Sequence, residues 1–495
     1  MRNVALALSF AHLVYLRIWF DLLSAPAERS HLKYTASRND YLALLCNVAI
    51  VGLGTWVAMC FWGRPRRWQR TLLVVCGMGL VGNAVRAVLS AYVPLLRSGA
   101  FQIASPKWIL LTAALAGCVG VFVLFRYLPR ATRILRGLLL VCLPIVPLAD
   151  ISAVWRIVAP PPKAAAESLL ARPIPRQPRD DVRVIWVIFD EWDNRLSFVQ
   201  RPKGVRLPAL DALVARSLVG TRVLGPQGRM PVGGMATQVA IPSLLAGEVR
   251  GADRFARPNL FALAHDRGWN VAVGGWYIPY CRTFASDVFR CYWDQMYTQA
   301  NTYGGSVTEA VGIQSRSLFE TSMFSLLGQS LSSKRHAAEY QALLDFALGE
   351  ASDAKAGLVF LHFNIPHAPY FYDAESNRYN GTGRTVATAY GDALMLVDQT
   401  VAKLEARLDS KTVLILSADH PLRVAEQVDG ASDPHVPFLL HWPGQTRALR
   451  EPREFSSLRT AALILEILDG KVRTIEEADR FLRGGSGAQV VTTRP

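Results

Sequence analysis

The chain has 495 residues, 51% of them hydrophobic and 19% charged, with a mean hydropathy of +0.20. Its 54 lysines and arginines exceed its 39 acids, but unevenly: residues 1–159 hold 17 basic and 4 acidic side chains, leaving 37 and 35 for the rest. A nucleic-acid-binding surface should lie on a folded soluble part, so this distribution argues against nucleic-acid binding and favours a basic membrane region.

Five apolar stretches in the first third have about the length needed to cross a bilayer, roughly 20 residues. They lie near 4–24, 41–62, 71–96, 108–128 and 137–157. Arginines cluster after the second and the fourth stretch, which predicts a cytoplasmic N-terminus and an extracytoplasmic C-terminal part. A cleavable signal sequence is the alternative for the first stretch, but Arg17 and Asp21 interrupt its apolar run and favour an uncleaved anchor.

A proline-rich segment separates two parts of the chain. Residues 159–182 contain six prolines, a composition that is extended and poorly helical. We therefore predict a transmembrane domain at 1–158, a linker at 159–182, a catalytic domain at 183–483 and a flexible tail at 484–495.

The catalytic part alternates between short apolar runs and helical patterns. The runs expected to form strands are RVIWVIF (183–189), NVAVG (270–274), GLVFLHF (357–363), TVLILSAD (412–419) and VPFLLHW (436–442). Helices are expected at 207–217, 258–267, 304–351 and 386–408. This alternation predicts an α/β domain with a mostly parallel central sheet.

Polar side chains lie at the carboxyl ends of several of these strands, and His435 directly precedes the last of them. The candidates are Asp190, Glu191, His367, Asp419, His420 and His435. Open α/β sheets place ligand sites at the carboxyl ends of their strands. Taken together, these oxygen and nitrogen ligands predict a metal site, whereas His362 lies within a strand and is interpreted as structural.

The stretch GGMATQVAIPSLLAG (233–247) places the hydroxyl of Thr237 at the start of a short helix. Such a helix start binds anions, and a threonine there becomes a nucleophile when a metal or base lowers its pKa. Arg282 is a candidate for anion contact, the alternative being stacking on the neighbouring aromatic side chains. Cys281 and Cys291 predict a disulfide if this part faces an oxidising compartment, against the alternative of two buried thiols.

Together these motifs resemble the alkaline phosphatase and sulfatase superfamily. They are most similar to its membrane-bound phospho-group transferases, such as lipid A phosphoethanolamine transferases and lipoteichoic acid synthases, whose five spans precede an extracytoplasmic catalytic domain. In this resemblance IFDEWD supplies the first metal-binding acid, Asp190 or Glu191, and ATQVAIPSLLAG supplies the nucleophile Thr237. FNIPHAPY supplies a histidine that contacts the transferred group, His367. The SADH stretch supplies the metal ligands Asp419 and His420.

The chain also departs from the patterns of this superfamily. It has DEWD where phosphoethanolamine transferases carry Gly-Glu-Thr, and Pro421 follows Asp-His where the family usually has glycine. It lacks the Cys-x-Pro-x-Arg type motif from which sulfatases mature formylglycine, which argues against sulfate-ester hydrolysis by that route. The departures put the substrate in doubt more than the superfamily.

The resemblance implies a bacterial inner-membrane enzyme, multi-pass, with a periplasmic catalytic domain. It would move phosphoethanolamine or phosphoglycerol from a membrane phospholipid to an envelope glycan or lipid hydroxyl, through a phospho-Thr237 intermediate. His367 or His435 would assist proton transfer or stabilise the phosphoryl oxygens. The expected cofactor is a divalent metal, zinc by resemblance, with manganese as the alternative. A hydrolase using water, or a membrane protein that binds a headgroup without catalysis, are the competing hypotheses.

Overall fold

The computed structural model describes residues 2–23, 37–61, 66–89, 118–159, 182–250, 255, 257–278, 280–293, 306–320, 325–379 and 384–484. The chain divides into two compact units, which are Met1–Ala165 with Gln299–Gly328, and Ala166–Thr298 with Gln329–Pro495. Apart from their end residues, the predicted linker and tail lie outside the described residues. The sequence analysis placed 299–328 in the catalytic domain, whereas the structure groups this segment with the first unit.

The first unit is helical. Its helices are Arg2–Val14, Leu16–Leu23, Arg38–Phe61, Arg67–Leu89, Leu128–Val141, Ile145–Val158 and Val307–Glu320, with a further helical stretch at 118–126. Among the described residues one helix, Arg38–Phe61, is by itself long and apolar enough to cross a membrane. Two bent pairs, Arg2–Val14 with Leu16–Leu23 and Leu128–Val141 with Ile145–Val158, would raise the number to three if each pair is one span.

The five-span arrangement therefore stays a prediction. Most of the predicted stretch 108–128, and the end of 71–96, lie outside the described residues. The helices that are described enclose a buried cluster that includes Tyr15, Trp19, Tyr41 and Leu44. Helix Val307–Glu320 packs on Arg38–Phe61 in this unit.

The second unit is built on a nine-stranded sheet. The strands are β1 (Arg183–Asp190), β2 (Leu218–Leu224), β3 (Val271–Gly275), β4 (Arg290–Trp293), β5 (Leu358–Pro366), β6 (Thr412–Ala418), β7 (His435–His441), β8 (Leu449–Glu451) and β9 (Phe455–Ser456). Their order is β4-β3-β5-β1-β6-β7-β2-β8, with β9 paired to β2. The neighbouring strands β4, β3, β5, β1 and β6 run parallel to one another, but β7 is antiparallel to both β6 and β2. The α/β prediction is confirmed, and the sheet is mixed.

Helices cover this sheet. They are Arg195–Val199, Pro208–Val214, Val232–Gly234, Thr237–Ala246, Leu260–Asp266, Tyr280–Thr283, Ser325–Ser352, Val386–Glu405, Glu426–Asp429, Arg459–Leu468 and Ile475–Arg483. The central strands β5, β1 and β6 are buried along their whole length. Apolar runs of this kind are needed where helices cover both faces of a sheet. Because these three strands are parallel neighbours, the residues that follow them meet at one edge.

Asp193 lies just beyond this edge and is completely buried. Its Oδ1 accepts a hydrogen bond from the N–H of Leu196 at 2.9 Å, and its Oδ2 has no hydrogen-bond partner among the described residues. Burial raises the pKa of Asp193 to about 6. The raised pKa means that the folded protein favours the neutral acid.

The substitution Asp193→Asn should remove a pH dependence of stability. The neutral acid contributes stability that is present below about pH 4 and lost as the pH rises to about 6, so wild type loses about 3 kcal/mol over this range for a shift of about two pKa units. Thermal or urea unfolding in detergent from pH 4 to 7.5 measures the difference. The exposed Asp345→Asn serves as the control. Parallel stability curves for wild type and Asp193→Asn would contradict the prediction.

Candidate metal and nucleophile site

Thr237 is the first residue of helix Thr237–Ala246. The preceding Ala236 has extended backbone angles (φ −150°, ψ 129°), and its N–H donates to Gln227 Oε1 at 2.7 Å. This side-chain hydrogen bond fixes the entry into the helix. Pro242 lies inside this helix.

Thr237 is 6% exposed, and its hydroxyl lies between two predicted metal ligands. Its Oγ1 lies 3.3 Å from Asp190 Oδ2 and 3.3 Å from His420 Nε2. Asp190 ends β1 and His420 follows β6, so the parallel register of these strands brings both to the helix start. The structure therefore brings together residues that are 183 positions apart in sequence.

Asp419 lies beside this group and is completely buried. Its Oδ1 accepts hydrogen bonds from the N–H groups of His420, at 2.8 Å, and Glu191, at 3.3 Å. Its Oδ2 lies 3.3 Å from His420 Nε2 and has no hydrogen bond among the described residues. One carboxylate oxygen is thus held by the backbone, and the other is left for a ligand.

His362 belongs to the same cluster, although the sequence analysis interpreted it as structural. Its Nε2 lies 3.6 Å from Asp190 Oδ2 and has no hydrogen bond among the described residues, while Tyr280 Oη lies 2.9 Å from its Nδ1. One ligand atom each from Asp190, His362 and Asp419 lies within 4.8 Å of the others. A histidine inside a fully buried apolar strand needs a polar partner, and this signal could have identified it.

Glu191 does not join the cluster, because its carboxylate is used elsewhere. The residue has a left-handed backbone (φ 62°), which is uncommon outside glycine, and its Oε1 accepts a hydrogen bond from Arg423 Nε at 2.5 Å. Of the two acids that the sequence left open as the first ligand, Asp190 faces Thr237. Arg423 carries no recognisable motif and was not predicted.

His367 follows β5 and is half-buried. Its Nε2 lies 2.8 Å from Arg423 Nη2, its Nδ1 contacts the carbonyl oxygen of Ala368, and its ring packs edge-on against Trp276 with centroids 5.0 Å apart. The residue therefore lies on the Arg423 side of the site.

His435, the first residue of β7, has different contacts. Its Nδ1 lies 2.5 Å from Asp433 Oδ1, and its Nε2 lies 3.3 Å from Glu454 Oε2. Among the described residues these side-chain hydrogen bonds do not reach Thr237 or the buried carboxylates. A catalytic role for His435 stays a prediction without support from its contacts.

Arg282 lies in the short helix Tyr280–Thr283. Its side chain is outside the described part of the structure, so its predicted anion contact is not tested. The adjacent Cys281 forms a disulfide with Cys291 of β4. This bond ties the short helix to the edge of the sheet.

The two buried carboxylates of the site have opposite electrostatic settings. Burial raises the pKa of Asp190, but the imidazoles of His367, His362 and His420 outweigh it and hold that pKa below its usual range. Burial and the charge of Asp190 raise the pKa of Asp419. Two neighbouring carboxyl groups whose pKa values are shifted in opposite directions are typical of functional sites.

The donor set fits a divalent cation. Buried Asp419 Oδ2 and His362 Nε2 have no hydrogen bond among the described residues, and both lie next to Asp190. Carboxylate oxygen with imidazole nitrogen suits zinc or manganese, whereas calcium requires more oxygens. The arrangement therefore supports a transition-metal site and does not choose between the two metals.

Solved structures similar to this chain come from several enzymes. Lipooligosaccharide phosphoethanolamine transferase A from Neisseria meningitidis is 13% identical, with 94% of this chain and 95% of that chain covered and a TM-score of 0.41. The lipoteichoic acid synthase LtaP from Listeria monocytogenes is 14% identical, with coverages of 58% and 72% and a TM-score of 0.36. The sulfatase PsFucS1 from Pseudoalteromonas sp. is 14% identical, with coverages of 58% and 67% and a TM-score of 0.41.

The sequence itself supplies a stronger comparison. A search of curated proteins finds no match. Residues 184–470, however, match the sequence profile of the Sulfatase family, and this range contains Thr237, both buried carboxylates and all the central strands. Because the match spans more than half of the chain, the protein belongs to the sulfatase family.

Proposed function

We propose that this protein is a membrane-anchored, metal-dependent transferase that moves a phospho-headgroup from a phospholipid to a hydroxyl group of an envelope glycan or lipid. Membership of the sulfatase family implies an enzyme. The observation that carries the proposal is the position of Thr237 Oγ1, which lies 3.3 Å from both a carboxylate and an imidazole at a helix start. A threonine there, instead of the cysteine or serine that sulfatases mature, supports phosphate chemistry.

The metal would be held by Asp190, Asp419, His420 and His362. When bound, a divalent cation lowers the pKa of the nucleophilic hydroxyl and neutralises negative charge on the phosphoryl group. The zinc assignment rests on the resemblance to phospho-group transferases, and manganese stays the alternative.

The chain's own residues perform a double displacement. Thr237 Oγ1 lies 3.3 Å from Asp190 Oδ2, a carboxylate oxygen that can accept its proton, whereas His420 Nε2 would hold the metal. Oγ1 attacks phosphorus, a Thr237 O–P bond forms, and the bond to the diacylglycerol oxygen breaks as that oxygen takes up the proton. The acceptor hydroxyl then attacks the phospho-threonine, loses its proton and restores the Thr237 hydroxyl. The start of helix Thr237–Ala246, with the positive end of its dipole, attracts the phosphoryl oxygens.

A membrane anchor suits a lipid donor because it keeps the site near the bilayer. We propose a multi-pass protein of the bacterial inner membrane with a cytoplasmic N-terminus and a periplasmic catalytic unit. The disulfide between Cys281 and Cys291 supports this location, since such bonds persist in oxidising compartments. In this setting the donor is phosphatidylethanolamine or phosphatidylglycerol.

Two alternatives remain. A phosphoester hydrolase would use the same phospho-threonine and pass the group to water, and its rate would not depend on an added acceptor. A headgroup-binding membrane protein would form no adduct. Headgroup release measured with and without an acceptor glycolipid separates the transferase from the hydrolase.

Substituting Thr237 by alanine should abolish adduct formation, because no other nucleophile stands at the helix start. The measurement is peptide mass spectrometry after incubation of the purified protein with vesicles of phosphatidylethanolamine and phosphatidylglycerol. Wild type should carry a phosphoethanolamine or phosphoglycerol group on Thr237. Thr237→Ser, which keeps the hydroxyl, should retain the adduct. Headgroup transfer by Thr237→Ala at the wild-type rate would refute the nucleophile assignment.

Substituting Asp419 by asparagine should reduce metal affinity by about 10-fold to 100-fold, because the amide keeps the backbone hydrogen bonds and loses the charge at Oδ2. Metal content after dialysis, measured by plasma mass spectrometry, checks this outcome. Asp398→Asn is the matched control, since this carboxylate is also buried and accepts a backbone N–H from Leu210 at 2.8 Å. Equal metal retention in the two variants would count against the metal site.

A further inference from the structure

Arg423 is a strongly basic side chain that contacts two residues beside the metal cluster, Glu191 and His367. Its Nε donates to Glu191 Oε1 at 2.5 Å, and its Nη2 donates to His367 Nε2 at 2.8 Å. Gly233, in the loop that leads to Thr237, packs beside the Arg423 carbonyl oxygen. The residue follows His420 by three positions, so the β6 edge that delivers the metal ligands also delivers this cation.

The contact with His367 fixes the roles of both groups. A guanidinium has no acceptor, so His367 Nε2 must accept and its ring proton lies on Nδ1. That nitrogen contacts the carbonyl oxygen of Ala368, which can receive the proton's hydrogen bond. While this contact holds, His367 cannot donate a proton from Nε2, and its visible function is to orient Arg423.

Glu191 is held in place at some energetic cost. Its left-handed backbone is disfavoured for a residue with a side chain, yet Tyr390 Oη donates to its carbonyl oxygen at 2.8 Å and its own N–H donates to Asp419 Oδ1. Strain of this kind, held by surrounding contacts, concentrates at functional sites. It directs the carboxylate of Glu191 to Arg423 while the preceding Asp190 faces Thr237.

The guanidinium keeps donors for a ligand. Glu191 and His367 use one N–H each, which leaves three N–H groups of Arg423 without a hydrogen bond among the described residues. The side chain is 34% exposed, so these groups are accessible. A planar fork of donors matches two oxygens of a phosphoryl group.

We propose that Arg423 binds the non-bridging oxygens of the transferred phosphoryl group, and that Glu191 and His367 are positioning residues that hold its guanidinium. The identity of the transferred group rests on the proposed function. The binding of phosphoryl oxygens by Arg423 can be tested without it.

The chain offers a closely matched control in Arg216. Its Nη2 donates to Glu405 Oε1 at 2.6 Å, its Nη1 lies 3.1 Å from His441 Nε2, and its side chain is 35% exposed. His441 pairs with Leu414 near the start of β6, away from the carboxyl edge where Asp419 lies. Arg216→Gln therefore removes the same kind of Glu–Arg–His contact away from the site.

The first experiment measures binding of inorganic phosphate by calorimetry in the full-length protein, with Thr237→Ala as the background to prevent turnover. Adding Arg423→Gln should weaken phosphate binding by about 10-fold to 100-fold, the effect of losing a charge-assisted fork of hydrogen bonds. Adding Arg216→Gln should change it by less than about twofold. An effect of Arg423→Gln no larger than that of Arg216→Gln would overturn the proposal.

The second experiment measures the rate of Thr237 adduct formation from phospholipid vesicles. Arg423→Gln should slow it by about 100-fold, as loss of one preorganised donor does in other acyl and phosphoryl sites. Arg423→Lys keeps the charge without the fork, and its rate should fall between the rates of wild type and Arg423→Gln. If the glutamine variant is unstable, the lysine variant provides the test. A rate for either variant within twofold of wild type would contradict the role of the guanidinium fork.

A third experiment tests positioning with His367. His367→Gln keeps an acceptor for Arg423 and should stay within about fivefold of wild type, whereas His367→Ala should approach the Arg423→Gln rate. In the Arg423→Gln background, His367→Ala should cause no further loss, because both act on one interaction. Additive losses would show that His367 acts independently of Arg423.

The outcomes separate this inference from the proposed function. Phosphate binding that depends on Arg423, with no adduct on Thr237 in wild type, would keep the anion site and refute the transferase mechanism. An adduct whose rate and phosphate affinity are insensitive to Arg423 would keep the mechanism and refute this inference.

Discussion

The site depends on two carboxylates, Asp190 and Asp419, that are buried together at the ends of adjacent parallel strands. Two negative charges whose oxygen atoms lie within 4.8 Å of each other in a protein interior repel strongly. The imidazoles of His362 and His420 offset part of this repulsion. A carboxylate oxygen of Asp419 and an imidazole nitrogen of His362 still lack hydrogen bonds among the described residues. A bound divalent cation would contact both atoms and remove the remaining repulsion.

The same constraint explains the central sheet. Strands β5, β1 and β6 must be parallel neighbours for His362, Asp190 and Asp419 to meet, and they must be buried on both faces to keep water from the site. Their sequences are accordingly continuous apolar runs that end abruptly in polar residues. The other strands carry no such requirement, and β7, which lies between β6 and β2, can run antiparallel without disturbing the cluster.

Much of this could be predicted from the sequence because buried parallel strands leave a strong pattern. The runs at 183–189, 357–363 and 412–419 all became central strands, and Asp190, Asp419 and His420 lie at the carboxyl ends of two of them. Strand β2, LVGTRVL, was missed because a glycine and two polar residues interrupt its apolar run. No signal in the sequence indicates that 299–328 groups with the first unit, because the grouping depends on tertiary contacts such as Asn47 with Gln314, which are far apart in sequence.

Side-chain direction was harder to predict than position. Neighbouring acids such as Asp190 and Glu191 look equivalent in sequence, and only the left-handed backbone at Glu191 separates their directions. His362 was interpreted as structural because it lies within a strand, but every position of β5 is buried and the histidine had to find polar partners. Arg423 left no sequence signal at all, since its role depends on residues 56 and 232 positions away.

The two departures from the transferase pattern have a common location in the fold. The acidic motif DEWD supplies Glu191, and the segment after Asp-His, which here reads Pro-Leu-Arg, supplies Arg423. In the structure Glu191 and Arg423, one from each segment, form an ion pair beside the metal cluster. Because a lone buried charge would be costly, the acid and the base stabilise each other there. The pair holds the guanidinium in the place that the proposed binding of phosphoryl oxygens requires.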